Sequence, residues 1–139
     1  MTFTEDDIIN PIETENATWD CIQHALSKIH PVSKSFFVIT NPDTGSYIQC
    51  AGSAERLTAE IRKYGSCGFR HYVIGKGGNI SPLKVVWTTI ESKVGTIQVH
   101  DTEVLKIEDA ETLFYSFYTT GDVPEVFTKR NITKLYQQQ

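Results

Sequence analysis

The stretch VLKIEDAETLFYSFYTTGDVP, from Val104 to Pro124, decides how the chain is read. Glu108, Asp109 and Glu111 put negative charge where a helix begins, against the positive end of its dipole. Ala110, Leu113, Phe114 and Phe117 then recur at steps of three and four, so one helical face is apolar. Gly121 can adopt the left-handed conformation that stops a helix, and Pro124 prevents its resumption. The pattern predicts a helix over residues 108–119. Phe114, Phe117 and Tyr118 need a broad apolar surface to lie on, and the residues before them point to a β-sheet.

Working back from that helix, β-rich runs alternate with turn chemistry. Residues 35–40 hold Phe36, Phe37, Val38 and Ile39; Asn41-Pro42-Asp43-Thr44-Gly45 turns; residues 46–51 answer, which predicts a hairpin. Leu57, Ala59 and Ile61 alternate with Thr58, Glu60 and Arg62, giving a strand with one buried and one wet face. Gly65-Ser66-Cys67-Gly68 turns the chain into a strand over 69–75, and Lys76-Gly77-Gly78-Asn79 turns it again. Strands are expected over 83–90 and 95–99, then a short one over 103–105.

At the front, Phe3, Ile8, Ile9 and Ile12 are expected to pin residues 1–15 onto the body, with Pro11 breaking any helix. Asn16 or Thr18 caps a first helix running to about Ile29, buried through Trp19, Ile22, Leu26 and Ile29. At the back, residues 125–136 are read as a possible last strand, with Gln137, Gln138 and Gln139 fraying. The expected fold is α+β: an antiparallel meander of six or seven strands with an N-terminal and a C-terminal helix on one face, in one domain over residues 1–139.

Composition narrows the function. Cys21, Cys50 and Cys67 are odd in number and unrelated in spacing, so neither a disulfide framework nor a paired metal site is read from them. No apolar run is long enough to span a membrane, and acid stands where a signal peptide needs base; a reducing cytoplasm is the expected location. The net charge of −4 is uneven. Glu5, Asp6, Asp7, Glu13, Glu15 and Asp20 precede any Lys or Arg, whereas Lys129, Arg130 and Lys134 follow the last acid. An acidic front argues against nucleic acid and permits attraction to a basic partner.

Catalytic chemistry finds no constellation. His71, beside Arg70 and Tyr72, could act as a base, but the sequence supplies no nucleophile or acid for it. No His/Cys pair has zinc spacing. Gly75-Lys76-Gly77-Gly78 lacks the Ser or Thr and the helix of a phosphate loop, and reads as a hairpin turn. The chain is expected to be no enzyme and to need no cofactor and no metal.

The phrase Glu103-Val104-Leu105, a spacer, Asp109-Ala110, then Leu113-Phe114, Phe117-Tyr118, Thr120-Gly121 and Val123-Pro124 resembles the closing motif of immunity proteins from bacterial polymorphic toxin and contact-dependent inhibition systems. It is most similar to the α+β family often paired with deaminase or nuclease toxins. Phe127 stands where that family commonly carries Trp. The resemblance implies a cytoplasmic protein that binds a cognate toxin domain and covers its active site or substrate groove. The partner-binding residues expected on that basis are Glu5, Asp6, Asp7, Glu13 and Glu15 as an acidic surface, with Tyr47, Tyr64 and Tyr72 as aromatic anchors. Phe114, Phe117, Gly121 and Pro124 are assigned to structure. Two other readings stay open: a curved-sheet enzyme or ligand-binding domain with a pocket near His71 and Tyr72, and an interaction module that associates through a sheet edge.

Overall fold

The computed structural model describes residues 1–6, 12–30, 34–77, 85–93 and 95–137. Asp7, Ile8, Ile9, Pro11, the Gly78-Asn79 half of its turn, the start of the strand expected from residue 83, and Gln138 and Gln139 lie outside them.

The centre of the fold is a local meander. Strands β3 (Phe36–Thr40), β4 (Tyr47–Gly52), β5 (Leu57–Gly65) and β6 (Gly68–Gly75) pair antiparallel in chain order. Alternation sets the two faces. Phe37, Ile39, Ile48, Cys50, Ala59, Ile61 and Ile74 point to one side and are buried. Asn41 makes the first turn, its side-chain oxygen accepting from Asp43 N at 2.9 Å.

Two helices cover that side. Helix α1 (Trp19–Leu26) starts at Thr18, whose hydroxyl accepts from Cys21 N, and buries Ile22, Ala25 and Leu26. It stops earlier than the expected Ile29, because Lys28 N and Ile29 N turn to carbonyls three residues back. Helix α2 (Ile107–Thr120) buries Ala110, Leu113, Phe114 and Phe117. Asp109 accepts from Lys106 N at its start; Gly121, at φ 81°, ends it. Thr120 Oγ1 accepts from Asp122 N and donates to Ser116 O, so the Thr-Gly pair forms a stop. Trp19 meets Tyr115 edge-on at 5.0 Å, and Tyr118 Oη donates to Ala17 O, locking the helices together.

The margins and the second layer depart from a simple meander. The front of the chain forms strands: β1 (Thr2–Glu5) pairs with β3, and β2 (Ile12–Thr14) pairs with β1 at the edge. Phe3 is buried as expected, but Ile12 is exposed on this edge and pins nothing. β7 (Trp87–Ser92) and β8 (Gly95–His100) form a separate hairpin outside the sheet. Ile90, Ile97 and Val99 share one side of it and close over Val73 on the face away from α1 and α2. The place beside β6 goes to β9 (Thr128–Asn131), from the tail. The order is β2-β1-β3-β4-β5-β6-β9.

The strand expected over 103–105 is instead a 3-10 turn, Asp101–Glu103, followed by a single bridge from Leu105 to Leu57. Glu103 explains this: its buried carboxylate accepts from His100 N and from the Arg130 fork, holding the backbone in a turn. A last helix, α3 (Thr133–Gln137), lies against β6. Phe127 is buried in the main core.

Candidate functional site

The face of the sheet turned away from α1 and α2 is only partly covered, and most of the chemistry gathers there. On β5 it presents Thr58, Glu60, Arg62 and Tyr64; on β4, Tyr47 and Gln49; on β6, Phe69, His71 and Val73. The hairpin β7–β8 covers one part and α3 another. Between them lies a cleft of about 570 Å³. Thr58, Glu60 and Val73 floor it; Ile97, Val99, Ile132 and Leu135 wall it; Trp87, Arg130 and Tyr136 complete it.

The floor is polar and almost fully bonded. His71 is fully buried. Arg62 Nε can only donate, so at 2.9 Å it fixes His71 Nδ1 as the acceptor. Nε2 then carries the ring proton and gives it to Glu60 Oε1 at 2.8 Å. Gln49 Nε2 donates to Glu60 Oε2 at 3.2 Å. The His71 backbone N–H donates to Thr133 Oγ1, tying α3 to the sheet. Among the described residues, Thr58 Oγ1 is the buried side-chain polar atom without a hydrogen-bond partner. Thr58 is 2% exposed.

Around this floor stands a group of rings and arginines. The Arg62 guanidinium lies 4.2 Å from the Phe69 ring centre, 4.5 Å from Tyr136 and 5.6 Å from Tyr47. Tyr136 sits 4.5 Å from His71. Arg130, forked onto Glu103 at 2.8 Å, lies 5.3 Å from the Trp87 ring. Burial raises the Tyr136 phenol, and the Glu60 charge adds to it against Arg62. Burial likewise raises Tyr47, with Arg62 opposing.

Of the anchors expected from sequence, the structure brings Tyr47 and Tyr64 to this face. Tyr64 is 43% exposed, 5.7 Å from Phe69, and accepts from Arg62 Nη1 at 3.4 Å. Tyr72 points the other way, beneath Lys129 and against the helix-side core. Neighbours on a strand face opposite sides, so His71 and Tyr72 do not line one pocket: His71 lies sealed beneath Tyr136 on one face and Tyr72 belongs to the other.

The acidic surface divides too. Glu13 and Glu15 are exposed. Glu5 is largely buried in an ion pair with Lys34 at 2.7 Å. Asp6 is not a surface acid: its carboxylate accepts from Ser35 N and Phe36 N, both at 3.0 Å, and from Ser35 Oγ. Ser35 Oγ in turn accepts from Lys93 N, so Asp6 anchors the turn of the β7–β8 hairpin. Asp7 lies outside the described residues.

Sequence reasoning missed Thr58, Arg62, Trp87, Arg130 and Tyr136. The alternation Thr58-Glu60-Arg62-Tyr64 marked one wet strand face, but nothing local joins it to Trp87 or Tyr136. Cys21 and Cys67 are exposed; Cys50 is buried, which pushes its thiol far up, with the Asp6 charge adding. Among the described residues no three His, Cys, Asp or Glu converge as metal ligands, and no helix is long and apolar enough to cross a membrane. No protein-family model matches the chain, and no curated protein matches it in sequence.

Proposed function

We propose that this protein is a cytoplasmic immunity protein that neutralises a cognate toxin domain, a nuclease or deaminase, by binding through the partly open face of its sheet and covering the toxin's active site or substrate groove. The observation that supports this most is the composition of that face. Trp87 and Tyr136 line the cleft, and Arg62, Tyr64 and Phe69 continue the same face beyond Tyr136; two of the five are strongly exposed, Tyr64 at 43% and Trp87 at 55%. Tyr, Trp and Arg dominate the energetic centres of protein interfaces. The resemblance of residues 103–124 to the immunity motif points the same way, and those residues build α2 and its stop, which leaves binding to other parts. Glu13 and Glu15, exposed near the opposite edge of the sheet, add charge that would speed encounter with a basic toxin surface.

The test is co-purification with the toxin domain encoded by the neighbouring gene, followed by titration of Trp87→Ala and Tyr64→Ala. Trp87→Ala is expected to weaken the complex by about 2 kcal/mol, roughly 30-fold, with an unchanged melting temperature. A neighbouring gene without a toxin domain, or a toxin indifferent to both changes, would sink the reading. Salt is expected to slow association more than it speeds dissociation.

A further inference from the structure

The hydroxyl of Thr58 needs a reason. It is buried, it has no hydrogen-bond partner among the described residues, and Thr58 lines the 570 Å³ cleft. A valine would fill the same space without stranding a polar group. Ligand sites share this plan: a concave apolar wall with a few polar atoms aimed inward, in the range of about 300–1,000 Å³. The walls here are Val73, Ile97, Val99, Ile132 and Leu135, with the rings of Trp87 and Tyr136.

The charges within reach say what the occupant is not. Glu60 lies on the floor two residues from Thr58, its oxygens engaged by His71 and Gln49. A carboxylate can only accept, so a second anion pressed against the floor is repelled. Arg130 is met by Glu103, and Arg62 and Glu60 flank His71 with opposite charges, so the site offers no net charge to draw in a cation. The group that meets Thr58 is therefore neutral. A hydroxyl is the smallest neutral group that can accept from Thr58 and donate onward to a carboxylate. The aliphatic walls and the two aromatic side chains suit a ring system behind it.

We infer that the cleft between the β7–β8 hairpin and α3 is a binding site for a small, neutral, hydroxylated aromatic molecule whose hydroxyl pairs with Thr58. The inference does not depend on the toxin reading, since the purified chain alone carries it. The same phenolic chemistry exists on a tyrosine of a partner protein, and the experiment separates the two.

The probes are 2-naphthol, naphthalene and 2-naphthoate, titrated calorimetrically into the full chain, with N-acetyltyrosinamide as the protein-borne phenol. The native protein is expected to bind 2-naphthol about tenfold more tightly than naphthalene, with 2-naphthoate weakest. Thr58→Val is expected to erase the advantage of 2-naphthol and leave naphthalene unchanged. Ile97→Trp, which fills the cleft, is expected to abolish binding of all three; the circular dichroism of both variants reports that they fold. Equal binding of 2-naphthol and naphthalene by the native protein would overturn the inference. So would an advantage of 2-naphthol that survives Thr58→Val, or no binding of any naphthyl probe. Binding of N-acetyltyrosinamide without 2-naphthol would overturn it in favour of a partner's tyrosine.

Discussion

The two faces of the sheet are built from the same strands and obey different rules. The face under α1 and α2 is dry: Phe3, Phe37, Ile48, Ile61, Phe114 and Phe117 are fully buried. The other face is sparse in apolar contact. Its small cluster rests on Val73, Ile90 and Val99, and polar anchors hold the hairpin: Arg56 to Thr88 and Thr89, and the chain from Asp6 through Ser35 to Lys93. The first face concentrates stability. The second forgoes some of it and keeps a cleft, a stranded hydroxyl and exposed rings. Substitutions on the two faces should therefore differ in size and, at one position, in sign.

The largest effect belongs to the dry face. Phe117→Ala removes a fully buried ring from under the sheet and should cost about 3–5 kcal/mol in urea unfolding. A loss under about 1 kcal/mol would mean that α2 is not part of the core, and would remove the contrast. Next comes the seam where the hairpin meets β4. Gly52 has φ 135°, and a Cβ there would strike the Arg56 carbonyl and stand 2.8 Å from Leu57 Cα. Gly52→Ala should cost about 2–4 kcal/mol, with Gly68→Ala, whose Cβ meets nothing, as the milder control.

The polar anchors of the second face come third. Asp6→Ala leaves the amides of Ser35 and Phe36 without their carboxylate and should cost about 2–3 kcal/mol. Amide exchange should quicken in the hairpin before it does under α2; uniform quickening would argue against this anchoring. Then the sign reverses: Thr58→Val should stabilise the unliganded protein by about 1 kcal/mol, because it removes an unmet buried hydroxyl. Destabilisation by that amount would mean the hydroxyl has a partner and the face is less strained than its geometry implies.

The smallest effect is electrostatic. Burial alone would raise the Asp122 carboxyl, but the Lys63 ammonium at 2.8 Å and the Val123 N–H more than offset it and hold the carboxyl below its usual range. A carboxyl lowered by folding adds stability that is complete above its unfolded pKa and is lost as pH falls through the folded value. Both side chains are more than a third exposed, so solvent screening keeps the pair under about 1 kcal/mol. Asp122→Asn should lower the melting temperature slightly at neutral pH and not at all once pH drops below the carboxylate range. A difference that persisted in acid would point to packing instead of charge.

Legibility in the sequence followed the same division. Helix α2, the β3–β4 and β5–β6 hairpins and the alternation of residues 57–62 were readable because each is decided by neighbours a few positions apart. The front strands were not, because β1 and β2 sit at an edge where only Phe3 needs burial and no apolar alternation is required. The cleft was least legible. Its floor, roof and far wall come from Thr58, Ile97 and Leu135, and no local pattern links positions so far apart. Tyr72 is the converse case: its type suggested an anchor, and only register shows that it faces the helix side.

The strand order also bears on how the molecule assembles in time. β3 to β6 meet through short turns, whereas β1 must find β3 across α1, and β9 must reach β6 across more than fifty intervening positions. Loop closure over such separations is slow to recover its entropic cost, so the four central strands should order first and the two flanks zip on afterwards. Pulse-labelled amides would then gain protection in residues 57–75 ahead of residues 128–131, and the cleft, walled by that late segment, would be the last part of the protein to exist.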